Sequence, residues 1–463
     1  MGQGRVRRTA SRPVEALALV AIAAVVLLGF VSAAAAGQLR QGLDPGAVLP
    51  QVLLQPLLSG GLLLVFHIFL RLTGLRSEQV IWPVVSLLFV IGLMMIYRLR
   101  GEAGVWQQMT RGFIPGLVIA GVLVARPQLI ETIRRLAVPA GIAGLLLPLL
   151  TALFGVVDET GARLALKIGP LPSIQTTELI KLALIIFLAW YIEREGRAAE
   201  ARAHTLLIWM RLPALQYFVP GVLVVTLATL ALVPMSDYGA VLILGAIFIA
   251  MLYTGFETRL FFTIAAIGLA LAALVGVVLA FTWEVPAVIQ YRFLAFRDPW
   301  STDMILVNGQ PTGITIAEGP GYQIQQAVYA VIAGGITGTG LGFGTPGYIP
   351  LAHSDFILAA IIEEMGAATG LALLALFAVL LMRIFRIVFL LPPGQVFERL
   401  LLVGIGVHFF TQVFVMAGGT LNLIPMTGVT IPFVSLGGTA LLVNLVEIGI
   451  ALAIVRRMEG YRT

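Results

Sequence analysis

The 463-residue chain contains no cysteine, which excludes disulfides, thiolate metal ligands and a thiol nucleophile. Charge is scarce as well. Only 11% of the residues are Asp, Glu, Lys or Arg, whereas a soluble domain carries about 25%. Hydrophobic residues make up 59% of the chain, and its mean hydropathy is +1.00. A chain this poor in charge is read as an integral membrane protein. Its apolar runs have the length of helices rather than the short alternation of barrel strands, so the expected class is an all-α polytopic membrane protein. The formal charge of +6 does not argue for nucleic acid, because basic residues in such a chain mark cytoplasmic loops.

Apolar windows place twelve spans, near 14–36, 50–72, 79–97, 112–126, 136–156, 174–192, 214–234, 238–256, 260–283, 355–382, 398–420 and 436–455. With the N-terminus inside, twenty of the 29 basic residues face the cytoplasm, eight face outward and Lys181 lies within a span. That asymmetry satisfies the positive-inside rule. The outer basic residues include Arg98, Arg100, Arg111, Arg163, Lys167, Arg292 and Arg297. They suit either contact with the headgroups of membrane lipids or an outward-facing site for an anionic substrate. The N-terminal basic stretch, apolar run and "SAAAAG" resemble a signal peptide, but the apolar run is long enough to be an uncleaved anchor.

Residues 284–354 form one long external segment, containing "YRFLAFRDPW", "GPGYQIQQ" and "GGITGTGLGFGTPG". Long structured loops are usually functional. The glycine-rich run lacks the Lys-Ser/Thr ending of a phosphate loop, and reads instead as adaptable backbone at the membrane face. The run "QIQQAVYAVIAGG" is too short to span and is expected to be re-entrant or interfacial.

The acids pose the sharper question. His353-Ser354-Asp355 runs into an apolar helix that carries Glu363 and Glu364, roughly 12 Å further along the helix axis than Asp355. Charges at that depth are costly unless paired. Ser354 and Asp355 suit a helix N-terminus as caps. Glu178 and Lys181 are three residues apart, share a helix face, and are expected to be a buried ion pair completed by Glu363 or Glu364.

Six motifs in order carry a resemblance to a known family. "GPLPSIQTTELIKLALIIFLA", "MSDYGAVLILGAIFIAMLYTG", "YRFLAFRDPW", "GYQIQQAVYAVIAGGITGTGLG", "HSDFILAAIIEEMG" and "LIPMTGVTIPFVSLGGTALLVN" resemble the signatures of the SEDS (shape, elongation, division and sporulation) family of RodA/FtsW-like peptidoglycan glycosyltransferases. The match runs from about residue 79 to 457, which leaves 1–78 as an N-terminal extension with two extra helices and 79–463 as a ten-helix core. The sequence departs from the family pattern at Leu164-Ala165, Thr176-Thr177, Ser236 and Met416.

The resemblance implies polymerisation of lipid II at the outer face of a bacterial cytoplasmic membrane, beside a class B penicillin-binding protein. It makes Asp355 the candidate general base. Arg292 aligns with a family arginine and, with Arg297, could steady a pyrophosphate leaving group. Tyr322, Gln326, His353 and Ser354 are candidate substrate contacts. Glu178, Lys181, Glu363 and Glu364 are structural or cavity charges. A divalent cation, Mg or Mn, is a possible tuner of Asp355. Two rival readings stand: a lipid II flippase using the intramembrane charges as a path, and a non-catalytic scaffold for a transpeptidase.

Overall fold

In the computed structural model, the residues described are 11–42, 44, 52–157, 163–167, 169, 173–202, 204–207, 210–212, 214–233, 235–256, 287–307 and 310–462. The expected span at 260–283 lies outside them. The helices in chain order are α1 (Pro13–Arg40), α2 (Leu54–Thr73), α3 (Ile81–Gln108), α4 (Ile114–Ala125), α5 (Leu129–Arg135), α6 (Ala137–Phe154) and α7 (Thr176–Ala201). They continue with α8 (Leu215–Leu230), α9 (Tyr238–Gly255), α10 (Ala287–Arg297), α11 (Pro320–Gly334), α12 (Ile357–Leu390), α13 (Val396–Thr420) and α14 (Gly438–Arg462). The other eleven expected spans each fall on one of these helices. Eight helical stretches among the described residues are long and apolar enough to cross a membrane.

Two of the long helices are not straight. A π-helical turn, Met109–Phe113, joins α3 to α4, giving one helical stretch of 45 residues. Unbroken, it would measure about 68 Å, more than twice the hydrocarbon thickness. Gly101, at φ 62° and ψ −158°, breaks it, so the two expected spans at 79–97 and 112–126 occupy separate arms. The other break corrects the sequence reading. The expected single span at 355–382 is interrupted at Gly366, with φ 85° and ψ 160°. Glu363 and Glu364 therefore sit at the end of a short first arm, and a longer apolar helix follows. Only glycine adopts such a conformation without strain.

The chain divides into two compact units. The first comprises Met1–Thr132, Gln326–Phe389 and Thr430–Thr463. In it α1 packs on α2 and α3, and α14 packs on α4. Small residues allow these approaches, as in membrane helix pairs generally. A Cβ on Gly449 would lie 2.5 Å from the Ala120 Cα, and one on Gly92 would lie 2.2 Å from the Val434 carbonyl oxygen. Phe89 and Phe113 stack with centroids 4.1 Å apart.

The second unit comprises Ile133–Gln325 and Leu390–Val429. Here α7 packs on α6, α8, α9 and α13. Gly141 lies under Phe187, and Gly404 lies against Ile185 and Met251. Three small antiparallel sheets decorate it: β1 (Val156–Val157) with β2 (Arg163–Leu166) and β3 (Ile174–Gln175), β4 (His204–Leu207) with β5 (Met210–Leu212), and β6 (Met304–Val307) with β7 (Gln310–Thr315). The described part of residues 284–354 carries α10, the β6–β7 hairpin and α11. The apolar run from Gln323 onward forms part of α11 and, at fifteen residues, is too short to span.

Candidate functional site

Asp355 lies in a turn rather than at a helix cap. The α12 helix begins at Ile357, and the N–H groups of Ser354 and Asp355 donate to the Leu351 carbonyl at 3.0 and 3.1 Å. Leu351 itself holds φ 54°, a conformation that costs a non-glycine residue about 1–3 kcal/mol and persists only where the surroundings impose it. Those surroundings come from the segment 431–437. The Leu436 N–H donates to the His353 carbonyl at 2.9 Å. Ser435 Oγ donates to the Ser354 carbonyl at 2.7 Å and accepts the Ile431 N–H at 2.9 Å.

Gln108, fully buried on α3, ties that segment down. Its amide nitrogen donates to the Ser435 carbonyl at 3.0 Å, and its amide oxygen accepts the Gly437 N–H at 3.0 Å. Phe433, also buried, stands at φ 65°. The motif "IPFVSLGG" therefore fixes the backbone immediately before Asp355. His353, Ser354 and Asp355 are half-buried, and Gln326 of α11 is half-buried in the same unit.

Glu363 and Glu364 answer a backbone problem. A helix that breaks leaves its last carbonyls without donors, and burial makes each orphan costly. The glycine-rich segment 335–345 supplies the donors. Thr339 N–H reaches the Glu363 carbonyl and Gly340 N–H the Glu364 carbonyl, both at 2.9 Å. Across the break, Ala367 N–H donates to the Gly335 carbonyl at 2.9 Å.

The acidic side chains then close the loop. Glu363 Oε1 accepts the Thr345 N–H at 2.6 Å and its hydroxyl at 3.2 Å. Glu364 Oε2 accepts the Gly342 N–H at 2.8 Å, and Oε1 pairs with Arg98 Nε at 3.0 Å. Arg98 also donates to the Gly344 carbonyl at 3.2 Å. The sequence reading had one of these acids completing the Lys181 pair. Their partners are instead Arg98 and the loop backbone, because the loop's free N–H groups lie within reach of both carboxylates.

In the second unit, Lys181 Nζ donates to Glu178 Oε1 at 2.8 Å. Both are almost wholly buried, with Lys181 2% and Glu178 4% exposed. Glu178 Oε2 has no hydrogen-bond partner among the described residues. Asp237 lies within electrostatic reach of the pair, hydrogen bonds to the Thr177 side chain and caps α9 by accepting the Ala240 N–H at 2.9 Å. His408, fully buried on α13, also lies within electrostatic reach of Lys181 and Glu178. The departures Thr176-Thr177 and Ser236 thus keep the polar frame: Thr176 hydrogen bonds to Thr151 at 2.8 Å, and Ser236 takes the turn before α9 at φ 60°.

Arg292, on α10, stacks over Tyr238 with its guanidinium carbon 5.8 Å from the ring centroid. Its Nη1 is buried without a hydrogen-bond partner among the described residues. A half-buried cation with an unspent donor suits an anionic group. Arg297 is exposed at the end of the same helix. Asp298, the next residue, accepts the Trp300 N–H at 3.0 Å. Tyr322 is exposed. Its neighbour Gln325, which the sequence reading passed over, fastens α11 by donating to the Pro299 carbonyl at 2.6 Å.

Asp355, His353, Ser354, Gln326, Glu363 and Glu364 thus fall in the first unit, and Glu178, Lys181, Arg292, Arg297 and Tyr322 in the second. The sequence reading assigns no role to Gln108 or Ser435, and places Arg98 only among the outer basic residues suited to lipid headgroups or an anionic substrate. Among the described residues, no group of three or more His, Asp or Glu is placed to hold a metal ion.

Helices long enough to cross a bilayer, internal charges paired within each unit, and backbone breaks satisfied by a glycine-rich loop define a multi-pass membrane protein. Its family is equally definite. The chain belongs to the family of cell cycle proteins that groups FtsW, RodA and SpoVE, whose model matches residues 78–460.

It is 30% identical over 396 residues to the peptidoglycan glycosyltransferase RodA of Mycobacterium tuberculosis, covering 83% of this chain and 79% of that one. It is 31% identical over 328 residues to the probable peptidoglycan glycosyltransferase FtsW of Alcanivorax borkumensis, covering 70% and 76%. Among solved structures, it is similar to a chain described under "Structural coordination of polymerization and crosslinking by a peptidoglycan synthase complex", with a TM-score of 0.63 and 26% identity over 81% of this chain and 96% of that one. The Thermus thermophilus rod shape determining protein RodA shares the fold, with a TM-score of 0.54 and 23% identity over 81% and 95%.

Proposed function

We propose that this chain is a peptidoglycan glycosyltransferase that polymerises lipid II at the outer face of a bacterial cytoplasmic membrane, in elongation or division. The observation that carries the reading is the family match over residues 78–460, a stretch that includes Asp355 and the segments fixing its turn. In the reaction, the 4-hydroxyl of one disaccharide attacks the anomeric carbon of another. The new glycosidic bond forms as the bond to undecaprenyl pyrophosphate breaks, with inversion at the anomeric carbon. Asp355 takes the hydroxyl proton. The pyrophosphate leaves with the electron pair, and Arg292, with its unspent Nη1 donor, is suited to hold it. Arg297 adds a second cation on the same helix. Tyr322, Gln326, His353 and Ser354 supply hydrogen-bonding groups for sugar hydroxyls.

Among the described residues, no group of three or more His, Asp or Glu would hold Mg or Mn. Residues 1–78 serve as an extension of the catalytic core at 79–463. The relative described within a synthase complex supports a class B penicillin-binding protein as partner. A second reading, translocation of lipid II, draws on one observation, the unpartnered Glu178 Oε2 inside a buried charge pair. Purified chain, with and without its transpeptidase, supplied with lipid II in detergent or vesicles, separates the two. Glycan strands in detergent support polymerisation. Protected lipid II crossing vesicle membranes without any glycan formed supports the second reading and overturns the first.

A further inference from the structure

The helix α1 lies wholly outside the part of the chain that the family model covers, yet it reaches the loop that braces Glu363 and Glu364. Arg40, its last residue, donates to the carbonyls of Phe343 and of Gly344, the latter at 2.7 Å. Arg98 of the core donates to the same Gly344 carbonyl, so two guanidinium groups from different helices converge on one backbone oxygen. A second contact lies one turn back. Ala33 and Ala36 of α1 are buried, and a Cβ on Gly342 would stand 2.4 Å from the Ala36 Cβ. Gly342, at φ 89°, is the residue whose N–H Glu364 accepts. The small residues of "SAAAAG" thus form the wall on which the loop rests.

The helix itself is held in place along its length. Gly29 admits the Met94 side chain of α3, and Phe30 meets Tyr97 at 5.0 Å. At its other end Arg12, buried, pairs with Glu15 and donates to the Leu75 and Glu78 carbonyls at 2.7 and 2.6 Å. Glu15 also meets His67 of α2 at 2.6 Å. The Glu78 carboxylate holds Arg383 at 2.7 Å, on the long second arm of α12. A helix pinned this firmly at its inner end can transmit a fixed position to its outer end.

We propose that Arg40 is a positioning residue for glycosyl transfer: through α1 it fixes the 342–345 loop that seats Glu363 and Glu364 at the break in α12, and thereby the first arm of that helix, which leads directly from the Asp355 turn. The kinetic part of this proposal rests on the polymerase reading above. The loop-clamping part does not.

The cysteine-free chain provides a direct test. Phe343→Cys places a unique thiol on an exposed position, and its rate of modification by a membrane-impermeant maleimide reports the loop. In that background, Arg40→Ala should raise the labelling rate about five-fold and lower kcat for lipid II polymerisation about five-fold, the size expected for one ordinary net hydrogen bond. KM and melting temperature should stay unchanged, and Arg40→Lys, which can still donate to a carbonyl, should recover part of both. Ala36→Leu, pushing the loop from the other contact, should reproduce the labelling increase. Unchanged labelling in both Arg40→Ala and Ala36→Leu overturns the clamp. A fall in kcat accompanied by an equal loss of thermal stability, unrescued by Arg40→Lys, makes Arg40 a structural staple and overturns the positioning role. If the parent chain makes no glycan, the polymerase reading fails, and the labelling result still decides the clamp.

Discussion

Two groups of intramembrane acids in this molecule solve the same problem by different means. In the first unit, Glu363 and Glu364 draw most of their compensation from backbone N–H groups and only one arginine, Arg98. In the second unit, Glu178 pairs with a lysine on its own helix, and its other oxygen has no hydrogen-bond partner among the described residues. Backbone donors come from a folded loop, so the first arrangement couples charge to loop conformation. A side-chain pair three residues apart forms wherever the helix forms. The first group therefore shapes the loop at the far end of the helical arm that leads from Asp355, while the second presents, among the described residues, an incompletely satisfied charge inside a packed bundle.

The largest expected effect tests the group that the first arrangement supports. Asp355→Asn preserves the size and polarity of the side chain, and the backbone N–H bonds from Ser354 and Asp355 to the Leu351 carbonyl do not depend on its charge. It removes the ability to take up a proton near neutral pH. General-base contributions are about a hundred- to ten-thousand-fold, so lipid II polymerisation should fall by that amount with melting unchanged. Activity within a few-fold of the parent would take Asp355 out of the mechanism.

Next in size is Lys181→Met. It leaves Glu178 buried without its cation, and breaking one side of a buried pair costs about 3–5 kcal/mol. Melting temperature measured in detergent should drop sharply. The double change Lys181→Met with Glu178→Gln should recover much of that loss, since replacing both partners removes the orphaned charge. A single variant that melts like the parent would mean that water or substrate already solvates Glu178, which would strengthen the translocation reading.

How far the sequence discloses this contrast depends on the range of each interaction. The Glu178–Lys181 pair is legible because both partners lie on one helix face. The helices themselves are legible from run length and scarcity of charge. The break at Gly366 is not, since a lone glycine in an apolar helix is usually tolerated; here it becomes a break because residues 335–345 supply the missing donors. Nor is the pairing of Glu364 with Arg98 legible, as 266 residues separate them. Asp355 stood out by resemblance, whereas the Ser435 and Gln108 contacts that fix its turn follow only from tertiary structure.

A smaller effect is expected from Glu364→Gln. The amide oxygen can still accept the Gly342 N–H, so the loop keeps its backbone contact. Only the charge facing Arg98 is lost; the Arg98 side chain is 23% exposed while Glu364 is buried, and Arg98 keeps the Gly344 carbonyl as acceptor, so the cost lies between that of a screened surface pair and that of a fully buried one. Melting should move little compared with Lys181→Met. An equal or larger fall would show that the first group depends on its arginine as much as the second depends on its lysine, and the contrast between them would collapse.

The smallest expected effect uses an exposed acid as the reference for Glu363. Glu318, in the turn between the β6–β7 hairpin and α11, accepts the Thr315 N–H at 3.1 Å and its hydroxyl at 2.9 Å. Glu363 has the same kind of partners, the N–H and hydroxyl of Thr345, but in the packed interior. At Glu318 the Thr315 backbone bond, and then its hydroxyl bond, hold the carboxyl below its ordinary value of 4.5. A depressed folded-state value means that the turn gains stability above the unfolded-state pKa and loses it as pH falls through the folded-state one. A carboxyl carbon NMR titration of Glu318 should therefore show a midpoint below 4.5, and Thr315→Val, which removes the hydroxyl, should move it part of the way back. A midpoint at or above the ordinary value, unaffected by Thr315→Val, would mean that threonine donors do not hold a carboxylate ionised even in the open, and the structural parallel between the Thr315 and Thr345 contacts would carry no electrostatic weight.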